Sequence, residues 1–195
     1  MSNNNVYTLL GASNHSVEER QPVDYYATDP KALEIFLEKI KQDGIVLPKK
    51  IYEPACGGGH LSEVLKNNRY TVYSSDLYDH GYGDTGIDFF KSNIKAQCIL
   101  TNPPYKQALP FVKKALESIV DNGYVIMFLR IQFLEGKERY EFFKYNPPKY
   151  VYINSSRQIC SKNAEFYKHS SSAVCFCWFI WQKGFKGETI IRWIK

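Results

Sequence analysis

The sequence lacks an apolar run long enough to cross a membrane. Its longest, residues 124–129 and 173–181, fall far short of the about 18–20 residues that a spanning helix needs. It also lacks a basic stretch followed by an apolar one at its start, where Met1-Ser2-Asn3-Asn4-Asn5 is polar, so no signal peptide is expected. Cysteine is sparse. The five residues, at positions 56, 98, 160, 175 and 177, are odd in number and contain no C-x-x-C pair. That argues against a disulfide framework and a zinc site, and fits reduced thiols in a cytoplasmic setting. Repeats, low-complexity tracts and Gly/Ser linkers are missing too, so one domain is expected over residues 25–195, behind a polar arm at residues 1–24. Aromatics, by contrast, are plentiful: 15 Tyr, 12 Phe and 3 Trp in 195 residues. Such a chain is not disordered, because it can bury enough apolar surface to offset the entropy of folding.

The net charge of +5 conceals an asymmetry. Residues 1–97 carry 10 Lys and Arg against 13 Asp and Glu, a net of −3, whereas residues 98–195 carry 15 against 7, a net of +8. The first half suits a cationic ligand and the second a polyanion.

Along the chain, Asp29 stands where an N-cap would and Pro30 at the first helical position. Leu33, Phe36, Leu37 and Ile40 follow at helical spacing, and Gly44 ends the pattern. The segments that follow alternate. Strands are expected to end at Glu53 and to cover residues 70–76 and 98–101, with short helices marked by Leu61, Val64 and Leu65 and by Leu109, Val112, Leu116 and Ile119. Residues 124–129 read as a strand buried on both faces of a parallel sheet. A helix over residues 136–145 and strands over 150–154, 173–181 and 189–194 complete the reading, in which Cys175 and Cys177 act as small buried hydrophobes. The fold class is therefore α/β with helices on both faces. The last two strands leave no room for a helix between them and predict an antiparallel C-terminal hairpin.

Residues 53–61 (Glu-Pro-Ala-Cys-Gly-Gly-Gly-His-Leu) lie between a strand and a helix, where glycines let the backbone approach a ligand. A Walker loop needs Gly-Lys-Ser/Thr, which does not follow, and a dinucleotide loop needs a third glycine where Ser62 stands. An acidic residue at the strand end followed by G-x-G suits S-adenosylmethionine, and Glu53, Gly57 and Gly59 match that pattern. Asp76, at the end of the next strand, is placed to accept from two ribose hydroxyls. Asp88 and Phe89 are placed to accept from an adenine amine and to cover its ring.

Residues 98–101 run into Asn102-Pro103-Pro104-Tyr105. Proline cannot continue a central strand, so the chain turns at the edge where α/β sheets bind ligands. This motif suits methyl transfer to a planar amine. If the two N–H groups donate to the Asn102 side-chain oxygen and the Pro103 carbonyl, the nitrogen is drawn toward sp³ geometry and its lone pair localises. Tyr105 offers a ring for stacking a base. The sequence Asn146-Pro147-Pro148-Lys149 repeats three of these letters, but after a helix and without the aromatic, and reads as a helix stop.

With these motifs the sequence resembles S-adenosylmethionine-dependent amino-methyltransferases, in particular the adenine-N6 DNA methyltransferases of the gamma arrangement and their small orphan, phage-borne forms. Tyr26-Ala27-Thr28-Asp29-Pro30 is similar to the Tyr-x-Thr-x-Pro element that touches the cofactor's methionine end in that family. The resemblance implies a Rossmann-like methyltransferase fold with a mostly parallel seven-stranded sheet. It also implies a cofactor site built from Tyr26, Thr28, Glu53, Gly57 and Gly59 at the methionine end, Asp76 at the ribose, and Asp88 and Phe89 at the adenine. Pro54, Cys56, Leu77 and Asn102, interleaved with these, complete that set, and Asn102, Pro103, Pro104 and Tyr105 would hold the target amine.

The chain departs from restriction-type relatives in size, since little is left for a target-recognition region. Only residues 155–172 remain, with Arg157, Lys162, Lys168 and His169 interleaved with Phe166 and Tyr167. They form a candidate substrate loop in which Arg157 and Lys162 would contact nucleic acid. Lys137, Arg139 and Lys144 are further cations offered by charge alone. The expected partner is nucleic acid, DNA before RNA. RNA adenine or guanine-N2, DNA cytosine-N4 and a protein glutamine amide remain open as targets, as do a non-catalytic nucleic-acid-binding fold and, more distantly, a nicotinamide oxidoreductase.

Overall fold

Isoleucine and tyrosine at the end of Lys50–Glu53 alternate toward two different hydrophobic layers, and this alternation organises the whole molecule. In a computed structural model of the chain, residues 27–156, 160–161 and 174–195 are described. In chain order the elements are β1 (Ala27–Thr28), α1 (Pro30–Gln42), β2 (Lys50–Glu53), α2 (His60–Asn67), β3 (Thr71–Ser74), β4 (Ala96–Thr101) and α3 (Ala108–Ser118). They continue with β5 (Ile119–Arg130), α4 (Lys137–Tyr145), β6 (Tyr150–Asn154), β7 (Cys160–Ser161), β8 (Phe176–Gln182) and β9 (Ile190–Ile194).

Seven strands form one sheet in the order β3-β2-β4-β5-β8-β6-β9. Neighbours pair parallel except at β8, which runs antiparallel to both β5 and β6. The mostly parallel α/β sheet is as expected, and β8 and β9 do run in opposite directions. They do not pair with each other, however. Strand β6 lies between them and pairs parallel with β9. Sequence spacing fixes the direction of a short connection but not which strand slips between its ends.

On one face, Ile51, Cys98, Leu100, Ile126, Phe128, Trp178 and Ile180 meet Leu33, Phe36 and Ile40 of α1 and Leu61, Val64 and Leu65 of α2. On the other, Tyr52, Ile99, Val125, Met127, Leu129, Phe179 and Trp181 meet Leu109, Val112 and Ala115 of α3 and Phe142 of α4. Tryptophan polar atoms in these layers are satisfied: Trp178 Nε1 donates to the Ala32 carbonyl at 3.2 Å and Trp181 Nε1 to the Asn146 carbonyl at 3.1 Å. Asn146 caps α4, its N–H donating to the Phe142 carbonyl, so the second Asn-Pro-Pro string is the helix stop that its context implied. Asp29 likewise caps α1, accepting from the Lys31 N–H at 3.0 Å. Ile119, read as the last residue of a helical stripe, instead opens β5. Among the described residues no helix is long and apolar enough to cross a membrane. The arm at residues 1–24 and most of the candidate substrate loop at 155–172 lie outside the described residues.

Candidate active site

The C-terminal ends of β2, β3 and β4 open onto one cleft of about 360 Å³. Glu53, Pro54 and Cys56 from the end of β2, Asp76 and Leu77 after β3, Asp88 and Phe89 beyond them, and Asn102 to Tyr105 after β4 all line it, with Thr28. The structure therefore brings together residues that the sequence spreads over positions 28 to 105. Tyr26, Arg157 and Lys162 fall outside the described residues.

The glycine turn is shaped by two left-handed residues, Gly57 (φ 50°) and Gly59 (φ 80°), which deliver the chain to the start of α2. Asp76 holds the turn: its Oδ2 accepts from the Gly57 N–H at 2.9 Å, while Oδ1 accepts from the Tyr78 N–H at 3.0 Å. Each oxygen has a second lone pair, and Asp76 lines the cleft. The excursion after β3 folds back over the turn. A Cβ on Gly59 would lie 2.4 Å from the Tyr82 ring. The Tyr82 hydroxyl donates to Glu63 at 2.5 Å and accepts from Lys66 at 2.6 Å, which clasps this ring to the first turns of α2.

Glu53 is 1% exposed and receives a hydrogen bond from the Ser62 hydroxyl. Burial pushes its carboxyl up to about 8, against the opposing Ser62 bond and with the help of the Asp76 charge. Burial and the negative charges of Glu53 and Asp76 push the Cys56 thiol up to about 12, which keeps it protonated at neutral pH. His60, at the start of α2, also lines the cleft, and burial lowers its pKa, which favours the neutral ring.

Beyond β3, Asp88 caps a short 3-10 turn at Phe89–Lys91, accepting from the Phe90 N–H at 3.0 Å and pairing with Lys91 at 3.3 Å. Phe89, expected to cover a nucleobase, is only 3% exposed and packs on Phe111 with ring centroids 4.8 Å apart. Phe90, which the sequence reading passed over, lines the same wall and is 38% exposed. The adjacent pair of phenylalanines signalled an aromatic wall without telling which ring the 3-10 turn would bury.

At the end of β4 the Asn102 side chain is oriented from outside its own element: its Nδ2 donates to Thr28 Oγ1 at 2.9 Å. In this arrangement the amide oxygen is the opposite, accepting end. The Pro104 carbonyl closes the following turn by accepting from the Gln107 N–H at 2.9 Å, whereas the Pro103 carbonyl takes no backbone donor among the described residues. Thr28 sits in β1, which pairs antiparallel with β7, so Cys160 lies opposite Thr28. Tyr105 is half-buried, with the Phe176 ring 5.8 Å away and the Arg130 guanidinium 4.6 Å from its centroid.

The cations offered by charge alone lie elsewhere. Lys144 bonds Glu141 at 2.8 Å, Arg139 donates to the Glu135 carbonyl, and Lys137 borders a separate depression along α4. None of the three lines the cleft.

No protein-family model and no curated protein matches the sequence. Solved structures do. A putative class I S-adenosylmethionine-dependent methyltransferase from Listeria monocytogenes superposes with a TM-score of 0.59 at 12% identity, over 90% of this chain and 68% of that one. A putative RNA methyltransferase from Pyrococcus horikoshii gives 0.63 at 14% identity, over 90% and 95%. A type I restriction-modification methyltransferase subunit from Streptococcus thermophilus gives 0.62 at 12% identity, over 88% of this chain and 48% of that one. At these identities the likeness is one of fold: the chain has the Rossmann-like architecture that these proteins share.

Proposed function

We propose that the chain transfers a methyl group from S-adenosylmethionine to an exocyclic amine of a nucleic-acid base, with adenine N6 in DNA as the first candidate. The observation that carries this reading is the Thr28-held amide of Asn102, standing beside the Pro103 carbonyl in the cleft that Glu53 and Asp76 also line.

The cleft's chemistry fits the cofactor. Glu53, Asp76 and Asp88 supply acceptors and negative charge for a ligand bearing ammonium, ribose hydroxyls and a ring amine. Leu77, Ile87 and Phe90 supply apolar surface for its nucleobase. Bound there, S-adenosylmethionine supplies an electrophilic methyl on a sulfonium. The chain's own residues do the rest. Asn102 Oδ1 and the Pro103 carbonyl accept hydrogen bonds from the two amine N–H groups and localise the nitrogen lone pair, and Tyr105 stacks the base. The nitrogen becomes cationic as it is methylated and then sheds a proton readily, so no strong base is required. The raised thiol of Cys56 is consistent with direct transfer rather than a cysteine adduct.

Among the similar structures are a restriction-modification methyltransferase subunit and a putative RNA methyltransferase, which supports nucleic acid as the substrate class. The test is labelled methyl transfer to duplex DNA, single-stranded DNA, RNA and protein, followed by nucleoside analysis. The expected product is N6-methyldeoxyadenosine. Label in protein alone, or in nothing, overturns the reading, and label in RNA or on cytosine replaces the target.

A further inference from the structure

Arg130 ends β5 and pairs across the sheet with Phe176, the first residue of β8. Both side chains meet Tyr105: the Phe176 ring at 5.8 Å with a 35° tilt, and the Arg130 guanidinium carbon at 4.6 Å from the ring centroid. Phe176 is 3% exposed and belongs to the core, whereas Arg130 is exposed. Tyr105 is thus held by one buried ring and one solvent-facing cation. Two of the acids that follow in the chain are engaged elsewhere, Glu138 with Lys113 and Glu141 with Lys144, and among the described residues no carboxylate forms an ion pair with Arg130. Arg130 does not line the cleft that Glu53, Asp76 and Asn102 share. It stands outside that cleft, against Tyr105.

We infer that Arg130 is a substrate-positioning residue, which binds a backbone phosphate flanking the target nucleotide and steadies the Tyr105 ring on which the base stacks. This rests on the nucleic-acid reading above. A base drawn out of its stack brings its own flanking phosphates to the rim of the pocket. A guanidinium presents a planar fork of N–H donors that matches two phosphate oxygens, and it can do so while keeping its face on an aromatic ring. Lys106, next to Tyr105 and on the cleft wall, adds a compact charge to the same rim. The shared chemistry is a phosphodiester, which DNA or RNA supplies.

The test is binding of fluorescently labelled single-stranded DNA, duplex DNA and RNA to the full chain saturated with S-adenosylhomocysteine, over a salt series. The wild type, Arg130→Gln and Arg130→Lys are compared. Removing one phosphate contact lowers the slope of log K against log salt by about one. In Arg130→Gln the dissociation constant is therefore expected to rise about tenfold at low salt. KM for the nucleic acid should rise with it, more than kcat falls. Arg130→Lys is expected to restore the salt slope but not the full affinity, a pattern that mere support of the fold would not produce. An unchanged slope in Arg130→Gln overturns the inference and leaves the proposed activity standing. A wild type that neither binds nor methylates any of the nucleic acids overturns both. The arm that binds identifies the polymer.

Discussion

Thr28 Oγ1 accepts a hydrogen bond from Asn102 Nδ2 at 2.9 Å, across 74 positions of sequence. An amide at the end of a strand can rotate by half a turn and exchange its oxygen for its nitrogen. The Thr28 contact holds the Nδ2 end, so that Oδ1 is the other end of the amide. Thr28→Val keeps the shape and deletes the acceptor, at a loss of about 1–1.5 kcal/mol of orientation. The expected result is a kcat about tenfold lower, since about 1.4 kcal/mol is a factor of ten. The comparison of kcat is made at saturating S-adenosylmethionine, because Thr28 also belongs to the set expected at the cofactor's methionine end. An unchanged kcat would mean that Asn102 is oriented by other contacts.

If Glu53 holds the cofactor as proposed, binding is expected to depend on pH. With its carboxyl pushed up to about 8, it is mostly protonated at neutral pH in the free protein. A cationic ligand favours the ionised form, so binding at pH 7 should release close to one proton and affinity should climb until about pH 8. Calorimetry in buffers of different ionisation heat measures the release, and Glu53→Gln should abolish it. The same shift has a sign for stability. The folded carboxyl binds its proton more tightly than the unfolded one. Its contribution is therefore complete below the ordinary carboxylate range and is lost as pH rises through about 8.

Gly59→Ala tests the clasp over the glycine turn. A side chain at φ 80° costs about 1–2 kcal/mol by itself, and its Cβ would also strike the Tyr82 ring. The melting temperature should drop and cofactor binding should weaken. Adding Tyr82→Ala should recover only the part due to the collision. Full recovery would mean that the left-handed backbone is not needed.

Far from the cleft, Tyr152 donates to Asp43 Oδ2 at 2.8 Å and ties β6 to the end of α1. Burial alone would raise the Asp43 carboxyl, but bonds from Lys39 and Tyr152 and the Arg192 charge hold it below the ordinary range. Stability from this group is present above the ordinary carboxylate value and is lost as pH falls through its depressed one. Tyr152→Phe should cost about 1–2 kcal/mol in denaturant melts at neutral pH. The difference should shrink in acid. A constant difference at all pH values would assign the loss to packing.

Much of this architecture is legible in the sequence because its signals are local. Asp29 and Pro30 begin a helix, Gly57 and Gly59 turn a chain, and two prolines end β4 at Thr101. What was not legible depends on tertiary contact. Which of the two cleft-lining rings, Phe89 or Phe90, is buried depends on how the chain packs around Phe111 of α3. Tyr82 sits in a polar stretch with no periodicity to mark it, and its role arises only from meeting Gly59 and Lys66. The insertion of β6 between β8 and β9 likewise follows from sheet pairing over long separations. His60 of the cleft, directly after three glycines at a helix start, carries a local signal of its own.

If Asn102 chiefly presents the amine, its loss should separate transfer from cofactor binding. Purified Asn102→Ala assayed in parallel for S-adenosylmethionine binding and for labelled methyl transfer to DNA tests it most directly. The expected result is near-wild-type binding and a loss of transfer of several orders of magnitude. Transfer that survives the substitution, or a loss of binding as large as the loss of transfer, would contradict it.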